Sequence, residues 1–133
     1  MRIFPIFEID VSPDIFIFKL TNKQLALRTM VSYEYGKRLT MKSIGEGVVG
    51  SNIVTVGLFN PTDFTTPPVE KLWLLSEFVS YGIGKLVRKK NIVFRPHVIY
   101  KGDNKLSSLL CGYQRSLLRA AAIEGGARKV DFE

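Results

Sequence analysis

The sequence has little of the side-chain chemistry from which metal and redox sites are built. It holds one cysteine, Cys111, and one histidine, His97. A single cysteine permits neither an internal disulfide nor a thiolate cluster, and one histidine would leave a zinc site dependent on carboxylates. Neither residue has a partner at catalytic spacing, so we expect a core thiol and a side chain at the start of a strand. We therefore expect no metal and no catalytic cysteine.

Long apolar runs are also missing. No segment approaches the ~20 apolar residues that a membrane-spanning helix needs. The N-terminal stretch is interrupted at Pro5 and is too short for a secretory signal. We expect a cytoplasmic protein that meets a membrane, if at all, as a peripheral protein on its inner face.

Acidic residues are outnumbered, with 12 Asp and Glu against 19 Lys and Arg, which gives a formal charge of +7 and a pI near 9.7. Such a charge suits nucleic acid, an anionic membrane or an acidic protein surface, and does not choose among them. Nucleic acid has the weakest support, because no motif interleaves aromatic and basic residues for base stacking.

Core-forming residues are plentiful: 46% of the chain is hydrophobic and 11% is aromatic. A chain of 133 residues fits one hydrophobic core. We therefore expect residues 1–133 to form a single domain.

The first half of the chain is typical of strands and turns. Apolar runs at 3–10 and 14–20 flank Ser12 and Pro13 and predict a hairpin. A third strand is predicted through Leu25, Leu27 and 30–33, a short one at 38–41, and another at 53–56. The segment 45–50 has three glycines but no following Lys-Ser/Thr, so we expect a loop and not a phosphate-binding motif.

The second half alternates helices and strands. Apolar residues at helical spacing after Pro67-Pro68 predict a helix over 68–88. A strand is predicted around Pro96, a second helix from 106 to the pair Gly125-Gly126, and a last strand at 129–132. The fold class is therefore α/β: a mixed sheet of about five strands, a β-meander and then α-β-α-β. Ribonuclease-H-like and actin-like folds share that order.

Four stretches resemble, in order, motifs of the MreB/Mbl-type bacterial actins. Ile9-Asp10 and the following turn resemble the first phosphate hairpin, and 61–64 resembles the approach to the first helix. Two motifs that flank strands in the family have counterparts here. One is Phe-Arg-Pro-His-Val-Ile at 94–99, and the other is the segment 121–130, in which Gly-Ala comes before Val130. The resemblance implies an actin-like fold corresponding to subdomain IA alone, without the second phosphate hairpin or the adenosine pocket.

The departures from the family pattern bear on activity. The family has Gly and Thr after the aspartate, whereas this chain has Val11-Ser12-Pro13-Asp14. Proline removes a backbone donor, and Asp14 brings a like charge toward a phosphate. The resemblance thus implies a vestigial phosphate hairpin at Asp10, Ser12 and Asp14, no cofactor and no enzymatic activity. The alternatives are an ATPase half-site completed by a partner chain, or a ribonuclease-H-like module that uses Asp10 or binds nucleic acid.

A basic and apolar segment lies where the resemblance places a membrane-touching protrusion. Apolar insertion combined with attraction to anionic lipid gives weak peripheral binding. The alternative is that its apolar residues begin a buried strand. The candidate membrane contacts are Lys89, Lys90, Ile92, Val93, Phe94 and Arg95.

Trp73 lies beside Leu72, Leu74 and Leu75, so its helix is apolar on more than one face. We expect a protein partner there. The leading hypothesis is a non-enzymatic cytoskeletal or cell-shape protein that associates with an actin-like (MreB-type) filament, with a protein of the cell-shape complex or with itself as a homodimer, in some settings at an anionic membrane.

Overall fold

The computed structural model of the chain describes residues 6–38, 40–59, 68–86, 96–102 and 114–133, without the side chains of 68–72 and 114. Eight strands and two helices are found in these ranges. They are β1 (Ile6–Val11), β2 (Ile15–Leu20), β3 (Lys23–Arg28), β4 (Met30–Glu34), β5 (Thr40–Ile44), β6 (Ile53–Gly57), α1 (Pro68–Leu86), β7 (His97–Lys101), α2 (Gln114–Glu124) and β8 (Lys129–Phe132).

The central element is a mixed five-stranded sheet in the order β3-β2-β1-β7-β8. Its first three strands form an antiparallel meander, while β7 lies parallel to both β1 and β8. Helix α1 precedes β7 and helix α2 precedes β8 in the chain, and the two helices pack against each other. This confirms the predicted α/β class, with a meander followed by α-β-α-β.

Alternation along the strands sorts the side chains onto two faces of this sheet. Phe7, Ile9 and Val11 of β1 are buried, as are Phe16 and Phe18 of β2. They form the core with apolar residues of both helices, because successive strand residues point to opposite faces. Burial raises the pKa of the Tyr100 hydroxyl, which lies in the same core. That hydroxyl donates a hydrogen bond of 2.7 Å to the carbonyl of Leu118 and so ties β7 to α2.

Glycine allows α1 to lie close to the sheet. A Cβ atom built at Gly82 would lie 2.4 Å from two ring atoms of Phe18. No side chain larger than hydrogen fits there without moving the ring. Gly126 closes α2 with a positive φ of 102°, and Ala127 donates back to the carbonyl of Ala122, which gives the helix end predicted at this pair.

The predicted third strand is wrong in one respect, because the structure divides it into β3 and β4 at Thr29. Thr29 is buried, and its N–H and hydroxyl donate to the carbonyls of Asp14 and Pro13. Its own carbonyl accepts from Leu58. These hydrogen bonds satisfy the polar groups of Thr29 in the interior. The chain passes from the first sheet to the second at this residue.

The chain leaving Thr29 builds a second sheet, β5-β4-β6, which the sequence did not predict. Fully buried Ser32 bonds the Thr55 hydroxyl at 2.7 Å and accepts from the N–H of Val48 at 3.0 Å. The first bond joins β4 to β6, and the second ties the 45–50 segment, which is a loop as predicted, to β4. The β5 strand lies a few residues beyond the predicted 38–41.

The face of the five-stranded sheet opposite the core carries charged residues in pairs. His97 of β7 and Asp131 of β8 lie 2.6 Å apart, and Lys129 lies 3.7 Å from the same carboxylate oxygen. The hydrogen bond from His97, with the nearby charge of Lys129, lowers the pKa of Asp131. The pair joins the last two strands on the side that carries no helix among the described residues.

We expect Gly82→Ala to lower the free energy of unfolding by about 1–3 kcal/mol, because the added methyl must displace a packed ring. Gly84→Ala is the matched control: its Cβ meets nothing within 4 Å, and alanine should add about 0.5–1 kcal/mol through helix propensity. Urea unfolding of both variants measures the difference. Equal shifts in the same direction would contradict the close packing of α1 on β2.

We expect stability to fall on acidification partly through Asp131. Its pKa is lowered in the folded state, so its contribution is present above the unfolded value of about 3.9 and is lost as pH falls through the lower folded value. Asp131→Asn and His97→Leu should both flatten the acid limb of a stability–pH curve, because each removes the hydrogen bond between the two side chains, and the double variant should flatten it no further than Asp131→Asn. A full acid limb in His97→Leu would show that the pair is not its source.

Candidate functional site

The predicted phosphate hairpin is the turn between β1 and β2, and hydrogen bonds orient several of its polar groups. Asp10 lies near the end of β1 on the charged face. Its carboxylate is 2.6 Å from Nζ of Lys19, with the two side chains 35% and 38% exposed. The hydrogen bond and charge of Asp10 raise the pKa of Lys19. The ammonium group of Lys19 is thus paired with the carboxylate that a magnesium-dependent site would use.

Ser12 uses its polar groups inside the turn. Its hydroxyl donates to the carbonyl of Ile15 at 2.7 Å and accepts from the N–H of Ile15 at 3.2 Å. Its backbone N–H donates to the same carbonyl at 3.1 Å. A phosphate-binding turn directs such donors outward, and here they close the hairpin instead.

Pro13 and Asp14 complete the turn. Proline has no N–H to offer. The carbonyls of both residues accept hydrogen bonds from Thr29, which anchors the turn from the side of β3. The side chain of Asp14 is exposed, so an approaching anion meets a carboxylate. Asp10, Ser12 and Asp14 thus lie in or beside one turn, and its vestigial character as a phosphate hairpin remains a prediction.

Sequence reasoning missed the ion pairs on the charged face of the sheet that carries this turn. Lys101 of β7 lies 3.2 Å from Glu8 of β1 and 3.9 Å from Glu133. Together with Asp10–Lys19 and His97–Asp131, they alternate acid and base across β2, β1, β7 and β8. The signal was the placing of charged residues at alternate positions of β1 and β8. The register that pairs them depends on contacts distant in sequence.

A second arrangement that was missed lies on α2. Arg115 and Arg119, one helical turn apart, lie with their guanidinium carbons 5.0 and 5.3 Å from the centre of the Phe132 ring. That ring stacks on Tyr100 at 5.4 Å. The spacing of the two arginines was visible, but their common aromatic partner on β8 was not.

The predicted membrane contacts and the predicted partner contact at Trp73 have different outcomes. All six candidate membrane residues, from Lys89 to Arg95, lie outside the described residues. Trp73 is partly buried, with its ring edge-to-face on Tyr33 of β4 at 6.4 Å and 83°. The second sheet therefore covers part of the surface that was assigned to a partner, and contact with a partner there remains a prediction.

Among the described residues, no three or more His, Cys, Asp or Glu side chains lie together as a metal ion would require. No helix in the same ranges is both long and apolar enough to span a membrane.

Comparison by sequence finds no matching family model and no matching curated protein. Solved structures do match. MreB5 of Spiroplasma citri bound to AMPPNP aligns with a TM-score of 0.67 and 14% identity, over 100% of this chain and 39% of that protein. The ADP-bound MreB5 aligns with a TM-score of 0.65 and 13% identity, over 98% and 38%.

A non-polymerising mutant of MamK bound to AMPPNP aligns with a TM-score of 0.61 and 11% identity, over 99% of this chain and 42% of that protein. The chain thus spans about two fifths of the length of each of these proteins. At these identities the likeness establishes the fold. The described chain has the actin-like fold found in MreB5 and MamK, in agreement with the resemblance of its motifs.

Proposed function

We propose that this chain is a non-enzymatic protein of the cytoskeletal type, which associates with actin-like filaments or with copies of itself. The observation that carries the proposal is the match of the entire chain to MreB5 at a TM-score of 0.67. The internal closure of the β1–β2 turn supports the non-enzymatic part. Fold alone does not determine function, so each part has its own experiment.

The case against nucleotide hydrolysis rests on three contacts. The hydroxyl and N–H of Ser12 are bonded to Ile15 within the turn. Asp10 is paired with Lys19 at 2.6 Å, so recruiting a magnesium ion would first require breaking that pair. The turn carbonyls are held by Thr29, which opposes the rearrangement that would free the donors. The structures of MreB5 and MamK hold AMPPNP or ADP, and this turn is where we expect the present chain to differ.

The filament part of the proposal draws on surface as well as fold. Trp73 remains partly accessible beside Tyr33, and partly exposed tryptophan is enriched at protein interfaces. The formal charge of +7 favours an acidic partner surface. Attachment to an anionic membrane through Lys89–Arg95 is part of the proposal on sequence grounds alone.

We expect no saturable binding of AMPPNP with Mg²⁺ to the chain by isothermal titration calorimetry, because the hydroxyl and N–H of Ser12 are bonded within the turn and Pro13 has no N–H. Asp10→Asn should leave this result unchanged. Glu8→Gln, on the same face of β1 and paired with Lys101, is the matched control. Binding that requires Mg²⁺ and is lost in Asp10→Asn alone would instead support the ATPase half-site.

We expect the purified chain to pellet with assembled MreB-type filaments in a saturable manner, and to remain in the supernatant when filaments are absent. Trp73→Phe should weaken co-pelleting several-fold, about 1 kcal/mol of lost interface packing. Tyr81→Phe, which keeps an exposed ring on the same helix, should not.

Two further arms separate the outcomes. Anionic liposomes replace filaments in one of them, and pelleting with liposomes alone would assign the membrane as the partner. The chain alone at rising concentration is the other, with mass measured in solution. Failure to pellet in every arm would reduce the actin-like likeness to a statement about fold.

A further inference from the structure

The strand β3 forms one edge of the five-stranded sheet, and the direction of its backbone groups can be deduced. Thr29, the next residue, donates its N–H toward Asp14 on the β2 side. Met30 accepts from Gly45 on the opposite side. Because backbone groups of an antiparallel strand alternate in direction, Gln24, Ala26 and Arg28 direct their N–H and C=O groups away from β2.

These outward groups are open in the described part of the chain. Lys23, Gln24, Ala26 and Arg28 are exposed. No hydrogen bond between described residues occupies the outward side of β3 before Gly45 approaches Met30. The N–H and C=O groups of three alternate residues at a sheet edge can pair with about six residues of an added strand.

The side chains of β3 give the edge two different faces. Leu25 and Leu27 are partly buried and pack on the core. Their alternation with exposed Gln24 and Ala26 means that an added strand would cover the leucines further with every second side chain. Apolar residues there would gain burial, and polar residues would suit the other face.

Charge decides which strand fits. Lys23 begins β3 and Arg28 ends it, and both are exposed. In antiparallel self-pairing centred on Ala26, Arg28 would lie opposite Gln24, so a second copy adds two more bases to this edge and supplies no carboxylate to either. An extended segment with carboxylates at both ends would instead place an acid opposite each base.

We propose that the outer edge of β3, open among the described residues, binds an extended, acidic segment of a partner protein as an added strand. The segment carries carboxylates about five residues apart, with alternating apolar residues that face Leu25 and Leu27. This site is independent of the filament proposal, because it needs only the β3 edge and its two bases. The two bases at the ends of β3 favour an acidic strand over a second copy, which would supply no carboxylate opposite them.

The probe is the peptide acetyl-Glu-Val-Thr-Val-Thr-Glu-amide. When it pairs antiparallel to β3, its two glutamates lie opposite Lys23 and Arg28 and its valines lie on the face of Leu25 and Leu27. Titration into the isotopically labelled chain should give saturable amide shift changes centred on Lys23–Arg28. Hydrogen exchange at Gln24, Ala26 and Arg28 should slow on binding. The same peptide with lysine at both ends should bind at least about tenfold more weakly, and added salt should weaken the glutamate peptide.

Two variants test the mechanism. Ala26→Pro removes an outward N–H at an edge position where proline is tolerated, and should weaken the glutamate peptide about tenfold. Ala26→Thr keeps the N–H and should bind as the parent does. The double variant Lys23→Glu, Arg28→Glu leaves the backbone intact and should reverse the preference to the lysine peptide.

Three results would overturn the proposal. The first is equal binding of the two peptides. The second is full binding by a folded Ala26→Pro variant. The third is a dimer of the chain in solution that Ala26→Pro dissociates, because a second copy would then be the occupant of the edge.

Discussion

The architecture depends on the three backbone-linked hydrogen bonds of Thr29. They tie the β1–β2 turn, the exit from β3 and the start of the segment after β6 to one buried residue. Replacing the hydroxyl with an apolar group would leave the Pro13 carbonyl without that donor in a partly buried position. Thr29 therefore lies where the two sheets divide, and it supports the turn that the bonds between Ser12 and Ile15 close.

The two faces of the five-stranded sheet differ in how they are held. The core face relies on close packing, in which the Phe18 ring fills the space left by Gly82. The opposite face relies on paired charges such as Lys101–Glu8, which are partly solvated and contribute modestly each. Those pairs also neutralise one another, so the basic excess of the chain lies elsewhere, including the exposed ends of β3.

The sequence was sufficient for elements whose information is local. The apolar spacing after Pro68 predicts α1, and the glycine pair predicts the end of α2. The break at Thr29 was hidden because the residues on either side form a continuous run suited to a strand, and the partners that bend it lie at Pro13, Asp14 and Leu58. At the candidate site, motif resemblance located Asp10, but its pairing with Lys19 depends on strand register.

The central pairing of β1 with β7 joins Ile6 to His97, across most of the chain. Closing so long a loop is slow, whereas the β1-β2-β3 meander is local and can form early. During synthesis, the edge of β1 that pairs with β7, and the side chain of Phe7, would therefore stay exposed until β7 has been made. This order makes the nascent meander the stage most prone to aggregation, and the stage at which a chaperone would have most effect on yield.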